Sequence, residues 1–98
     1  MFVCIWEFRV TVGSERDFER IYAPDGDWAQ LFRLSPDYAG TELYHDVADG
    51  QRYLTMDRWR SRASFDALKN QRRDEYLRLD GRCSCLIDSE RLIGEIES

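Results

Sequence analysis

At 98 residues, with 43% hydrophobic and 13% aromatic side chains and two prolines, the chain has the composition of one globular domain spanning 1–98 rather than a disordered segment. A formal charge of −5 excludes the basic footprint of a nucleic-acid binder, and Arg58, Arg60, Arg62, Arg72 and Arg73 read as solvated faces. No apolar run approaches membrane-spanning length and no signal peptide is visible. Cys4, Cys83 and Cys85 make neither a CxxC pair nor a disulfide framework, so the expected compartment is the reducing cytoplasm.

Phe2 to Val12 alternate, with Phe2, Cys4, Trp6, Phe8, Val10 and Val12 on one face and Val3, Ile5, Glu7, Arg9 and Thr11 on the other. That period predicts a strand. Gly13 breaks it, Ser14 caps a helix from Glu15 to Ala23, and Phe18, Ile21 and Tyr22 recur at helical spacing. Pro24-Asp25-Gly26-Asp27 is a turn, with glycine free to take positive φ, and Asp27 caps a short helix holding Trp28, Leu31 and Phe32. Two strands follow as a hairpin, Gly40 to Val47 and Arg52 to Arg60, with the turn at Ala48-Asp49-Gly50. In the second, Tyr53, Thr55, Asp57 and Trp59 share a face opposite Leu54, Met56 and Arg58. Ser61 caps one long helix whose stripe of Phe65, Leu68, Arg72, Tyr76, Leu79, Cys83 and Leu86 is interrupted by Arg72 and weakened at Gly81. Glu90 to Glu97 is a short last strand.

The order is βαββαβ with a small inserted helix, which predicts an α+β, ferredoxin-like fold: a four-stranded antiparallel sheet with helices on one face. The other face then carries Val3, Ile5, Leu43, Leu54 and Met56, too much apolar surface to leave bare. The expected partner is a second copy, two sheets closing a dimeric α+β barrel, with Glu7, Arg9 and Arg58 paired with one another.

The strand ending in Trp59-x-Ser61, the helix opening with Phe65, and the segments Ile5-Trp6-Glu7-Phe8 and Tyr53-Leu54 resemble the antibiotic biosynthesis monooxygenase family across nearly all the chain apart from the inserted Pro24 to Phe32 segment. The resemblance implies a dimeric barrel with a pocket between sheet and helices in each subunit. It also implies activities that range from cofactor-free oxygenation of phenols and quinols to haem degradation. The haem-degrading branch places an asparagine on the first strand, where Phe8 stands, and a histidine on the second long helix, where none occurs from Ser61 to Ser98. Trp59 matches that branch's tryptophan. No cofactor is expected.

Cofactor-free oxygenation needs an apolar cavity, a base and hydrogen-bond donors for a developing oxyanion. Asp57 is the candidate base, raised in pKa by its aromatic surroundings, and Trp59 is its candidate catalytic neighbour. Trp6, Phe8, Tyr22, Trp28, Phe32, Tyr53 and Tyr76 are the candidate wall for a small aromatic ligand, with Trp28 on the inserted segment as a lid. His45, the single histidine, shares a face with Leu43 and is expected inside the dimer, away from the pocket; no metal ligand set is visible. Two non-enzymatic readings share the scaffold: a small-molecule binding or stress-related protein, and a dimerisation module whose cavity its own side chains fill.

Overall fold

The computed structural model describes all 98 residues. The central strand is β1 (Phe2–Val10), whose alternation buries Phe2, Cys4, Phe8 and Val10 beneath the helices. Helices α1 (Glu15–Tyr22) and α2 (Asp27–Phe32) follow, then the hairpin of β2 (Tyr38–His45) and β3 (Arg52–Trp59). The chain continues through α3 (Arg62–Gln71), α4 (Arg73–Cys83), a 3-10 turn at Ser84–Leu86 and β4 (Ile87–Glu97). All pairings in the sheet are antiparallel and its order is β2-β3-β1-β4. This is the ferredoxin-like arrangement. No helix is long and apolar enough to cross a membrane.

Several local expectations are corrected. β1 ends at Val10 and leaves Val12 exposed, because the chain turns away at Gly13 with φ 94°. The long helix is two, broken at Arg72 (φ −116°, ψ 35°) and not at Gly81. Staying in the apolar stripe would bury a guanidinium; the break leaves Arg72 exposed beside Glu75 at 3.2 Å. β4 begins at Ile87, and a bulge between the partners of Ile5 and Trp6 turns Leu92 to the helix side while Gly94 and Ile96 face away. The hairpin loop needs no positive φ, since Asp46 accepts from the backbone N–H groups of Ala48 and Asp49 at 2.7 and 3.0 Å.

Gly26 is required for a different reason from the one the turn chemistry gives. Its φ is −79°, but a Cβ there would meet the backbone carbonyl oxygens of Ile21 and Arg20, the latter at 2.5 Å. Backbone on both sides cannot swing aside, so Gly26→Ala forces α1 and α2 apart. The expected loss is about 1–3 kcal/mol, as for other overpacked sites, read as a lower urea midpoint. An unchanged midpoint would mean that the crossing relaxes freely.

The largest correction concerns β2. Its register sets Thr41 opposite Asp57, Leu43 opposite Thr55 and His45 opposite Tyr53, so all three lie on the helix-covered side. Leu43 packs against the core and does not belong to the open face. His45 stacks on Tyr53 with ring centroids 4.1 Å apart and planes 5° apart, and its Nε2 lies 2.9 Å from the Gly50 carbonyl. The open face keeps Val3, Ile5, Leu54 and Met56, joined by Ile96. Within the chain Glu7, Arg9 and Arg58 do not pair with one another but with other residues: Glu7 holds Arg52 at 2.7 Å and Arg91 at 3.2 Å, Arg9 holds Asp49 at 3.0 Å, and Arg58 holds Glu42 at 2.6 Å.

Candidate functional site: an aromatic cavity around Asp57

Alternation aims Trp6 and Phe8 of β1 and Thr55 and Asp57 of β3 at the helices. Above them α2 contributes Trp28 and Phe32, α1 contributes Tyr22, and α3 and α4 contribute Phe65 and Tyr76. Together with Thr41, Asp80 and Glu90 they enclose a cavity of about 200 Å³. An apolar cavity of about 150 Å³ admits benzene, so this one has the size of a single substituted ring. It is smaller than the roughly 300 Å³ and upward of drug-sized sites.

The aromatic walls brace one another. Tyr22 lies 6.2 Å from Trp28, which meets Tyr76 edge-on at 5.0 Å and Phe32 at 5.7 Å. Trp28 is 8% exposed, and its indole Nε1–H, buried, has no hydrogen-bond partner in the protein. The inserted segment is therefore part of the wall, held by α1 and α4.

Asp57 is the polar centre. Thr41 Oγ1 donates to its Oδ1 at 2.6 Å, and the Tyr38 hydroxyl is hydrogen-bonded to Thr41 in turn. With the Thr41 proton committed to Asp57, Tyr38 is the donor of that second bond, which makes a Tyr38–Thr41–Asp57 chain. Oδ2 has no protein partner. Burial pushes the Asp57 carboxyl up to about 6, with the Thr41 bond opposing it. At neutral pH it is ionised, yet a better base than an ordinary carboxylate.

Of the candidate wall, Trp6, Phe8, Tyr22, Trp28, Phe32 and Tyr76 line the cavity, and so does Asp57. Tyr53 and Trp59 do not, although both share the Asp57 face. Tyr53 is 1% exposed, under Phe18 and the His45 ring, with its hydroxyl donating to Glu19. Trp59 is fully buried among Phe32, Tyr38 and Phe65. Sequence reasoning missed Thr41, Thr55, Phe65, Asp80 and Glu90. Phe65 and Thr55 carried a usable signal, since one opens the apolar stripe and the other lies between Tyr53 and Asp57. Asp80 and Glu90 carried none.

The fold and the cavity define an α+β protein with an aromatic pocket between sheet and helices. A model of the antibiotic biosynthesis monooxygenase family matches residues 1–73, and the chain belongs to that family. Its fold is that of SnoaB, a cofactor-independent oxygenase from Streptomyces nogalater, at a TM-score of 0.82 and 18% identity over 99% of this chain and 91% of that one. A putative antibiotic biosynthesis monooxygenase from Nitrosomonas europaea matches at 0.77 and 15% identity, covering 100% and 98%. MhuD, solved as a point mutant with two manganese protoporphyrin IX bound per active site, matches at 0.74 and 23%, covering 100% and 94%. None of the curated proteins matches the chain.

The cavity does not suit a porphyrin. No histidine or cysteine lines it, its volume of about 200 Å³ is that of one ring, and its carboxylates oppose a porphyrin's own.

Proposed function

We propose that the chain is a cofactor-independent monooxygenase acting on a small phenol or quinol held in this cavity. One observation carries the reading: a carboxylate with pKa near 6, one oxygen fixed by Thr41 and the other free, set inside aromatic walls. Asp57 takes the phenolic proton, and the resulting phenolate passes an electron to O2. Recombination at a ring carbon and loss of water then balance as phenol plus O2 giving quinone plus H2O. Thr55 is the candidate donor for developing oxygen charge. Thr41 and Tyr38 are positioning residues that hold the Asp57 carboxylate. Trp59, outside the cavity, is assigned a positioning role through Phe32 and Phe65.

Oxygen uptake by the purified protein against mono- and bicyclic phenols and quinols, without added metal or cofactor, tests this. Uptake is expected to rise with pH through about 6 as Asp57 ionises and to fall at least a hundredfold in Asp57→Asn, the usual scale for a general base. Uptake that survives the substitution would sink the assignment. A cavity that binds phenols without consuming oxygen would instead support a binding protein.

The open sheet face supports the second part of the proposal, a homodimer through Val3, Ile5, Leu54 and Met56, the two sheets facing. Burying each such side chain contributes about 1.5–3 kcal/mol. Light scattering is expected to give twice the 11.6 kDa chain mass, and Met56→Glu to give the monomer. A wild-type monomer at micromolar concentration would rule the interface out.

A further inference from the structure

The cavity's charge is as informative as its shape. Three carboxylates line it, Asp57, Asp80 and Glu90, and no lysine, arginine or histidine does. Elsewhere ten of the chain's sixteen other acids hold arginines within 4 Å, Glu7, Glu42, Asp49 and Glu95 among them. None of the three around the cavity has such a partner. An adjoining groove shares Asp80 and Glu90 and adds Asp88, again without a basic side chain. The Glu90 carboxyl is held above its usual range, first by desolvation and then by Asp80. Like charges gathered around one cavity with no counter-ion repel one another, and a cationic ligand would relieve that.

The walls fit the same occupant. Aromatic faces attract ammonium groups, by about 0.5–2 kcal/mol each according to exposure. Two of them already do so: Lys69, the chain's one lysine, sets its Nζ 4.7 Å from the Phe65 ring centroid and 5.7 Å from that of Tyr76, without lining the cavity. Asp57 turns an oxygen with no protein partner to the cavity, and Asp80 and Glu90 are its exposed lining residues. A ring therefore belongs at the aromatic end and a positive charge at the acidic rim.

We propose that the cavity selects a single-ring aromatic ligand bearing a positively charged nitrogen, an arylalkylammonium, with its ring between Trp6, Trp28 and Tyr76 and its ammonium at Asp80 and Glu90. The proposal rests on reading this cavity as the ligand site and names the substrate class for it. It also meets a difficulty in the chemistry above. A phenolate formed beside three carboxylates has no protein cation lining the cavity to offset it, whereas a substrate with its own ammonium carries that offset.

Titration calorimetry with two matched series tests it: tyramine, tyrosol and 4-hydroxyphenylacetate, then phenethylamine, 2-phenylethanol and phenylacetate. In both, the ammonium member is expected to bind at least tenfold tighter than the alcohol, and the carboxylate weakest. The preference should shrink in high salt. In Asp80→Asn/Glu90→Gln, two exposed positions, it should fall below threefold through loss of ammonium affinity, with the thermal midpoint retained. Equal or tighter binding of the alcohol or carboxylate overturns the proposal, as does a preference that survives in the double variant, or no binding at millimolar concentration. The second series has no phenol, so the two readings fail separately. Ammonium preference without oxygen uptake sinks only the oxygenase, and uptake from tyrosol without ammonium preference sinks only the cation.

Discussion

Replacing Asp57 by asparagine is expected to stabilise the folded protein at pH 8 while removing the proposed activity. Burial holds this carboxyl at about 6 against 3.8 for the free side chain. Between those values the folded chain keeps a proton that the unfolded chain has released. The folded state therefore binds more protons, and stability falls as pH rises through the window from about 4 to 6. Above it the deficit is complete, up to roughly 3 kcal/mol at about 1.4 kcal/mol per pKa unit. The asparagine keeps an acceptor for the Thr41 hydroxyl and carries no charge to desolvate. Wild type and variant should share one thermal midpoint near pH 4, separate as pH rises through about 6, and keep a constant gap from there to pH 8. For a domain of this size each kcal/mol is worth about 4–8 °C. Matched protein concentrations are needed, since dimerisation would shift both midpoints. A gap that does not change with pH, or a variant that is less stable at pH 8, would refute the buried ionised carboxylate.

The second large effect is at Trp59. The side chain is fully buried, with the rings of Phe32, Tyr38 and Phe65 each 5.2 Å away. Trp59→Ala is expected to cost about 3–5 kcal/mol, the range for large aromatic truncations in cores, measured as loss of the urea midpoint. Trp59→Phe separates packing from chemistry. It shrinks the ring but removes a buried indole N–H that has no partner, a group that costs about 1–3 kcal/mol when left unsatisfied. The phenylalanine variant should lose far less stability and keep ligand binding within a few fold. Binding abolished in a folded Trp59→Phe protein would show that Trp59 touches the ligand after all. A small loss in Trp59→Ala would show a core that closes over the gap.

Both predictions concern β3, where the sequence was most explicit. Alternation by itself determined that Tyr53, Thr55, Asp57 and Trp59 share a face, because in a strand successive side chains must point to opposite sides. Spacing and turn chemistry likewise determined the order of elements, the ferredoxin-like sheet and the presence of α2. Which members of that face reach the cavity lay beyond alternation: Asp57 stands under open space, while Tyr53 and Trp59 are roofed by His45 and Phe18 on one side and by Phe32 and Phe65 on the other.

β2 shows where the pattern loses its power. Thr41, Leu43 and His45 alternate with Glu42, Tyr44 and Asp46, and each set mixes apolar with polar groups. Hydrophobicity cannot then choose a buried side, and a one-residue slip in register exchanges the two. Only pairing with β3 decided it, sending Leu43 into the core and bringing Thr41 to Asp57. Asp80 and Glu90 were hidden for a related reason. They lie outside the stretch the family model matches and stand ten residues apart on different elements. Only the return of β4 beside β1, with Glu90 opposite Phe8, brings a strand carboxylate to a cavity that α4 already borders. Local periodicity fixes which way a side chain points along its own element. What it meets there depends on contacts between elements distant in the chain, and in this protein those contacts set the charge of the site.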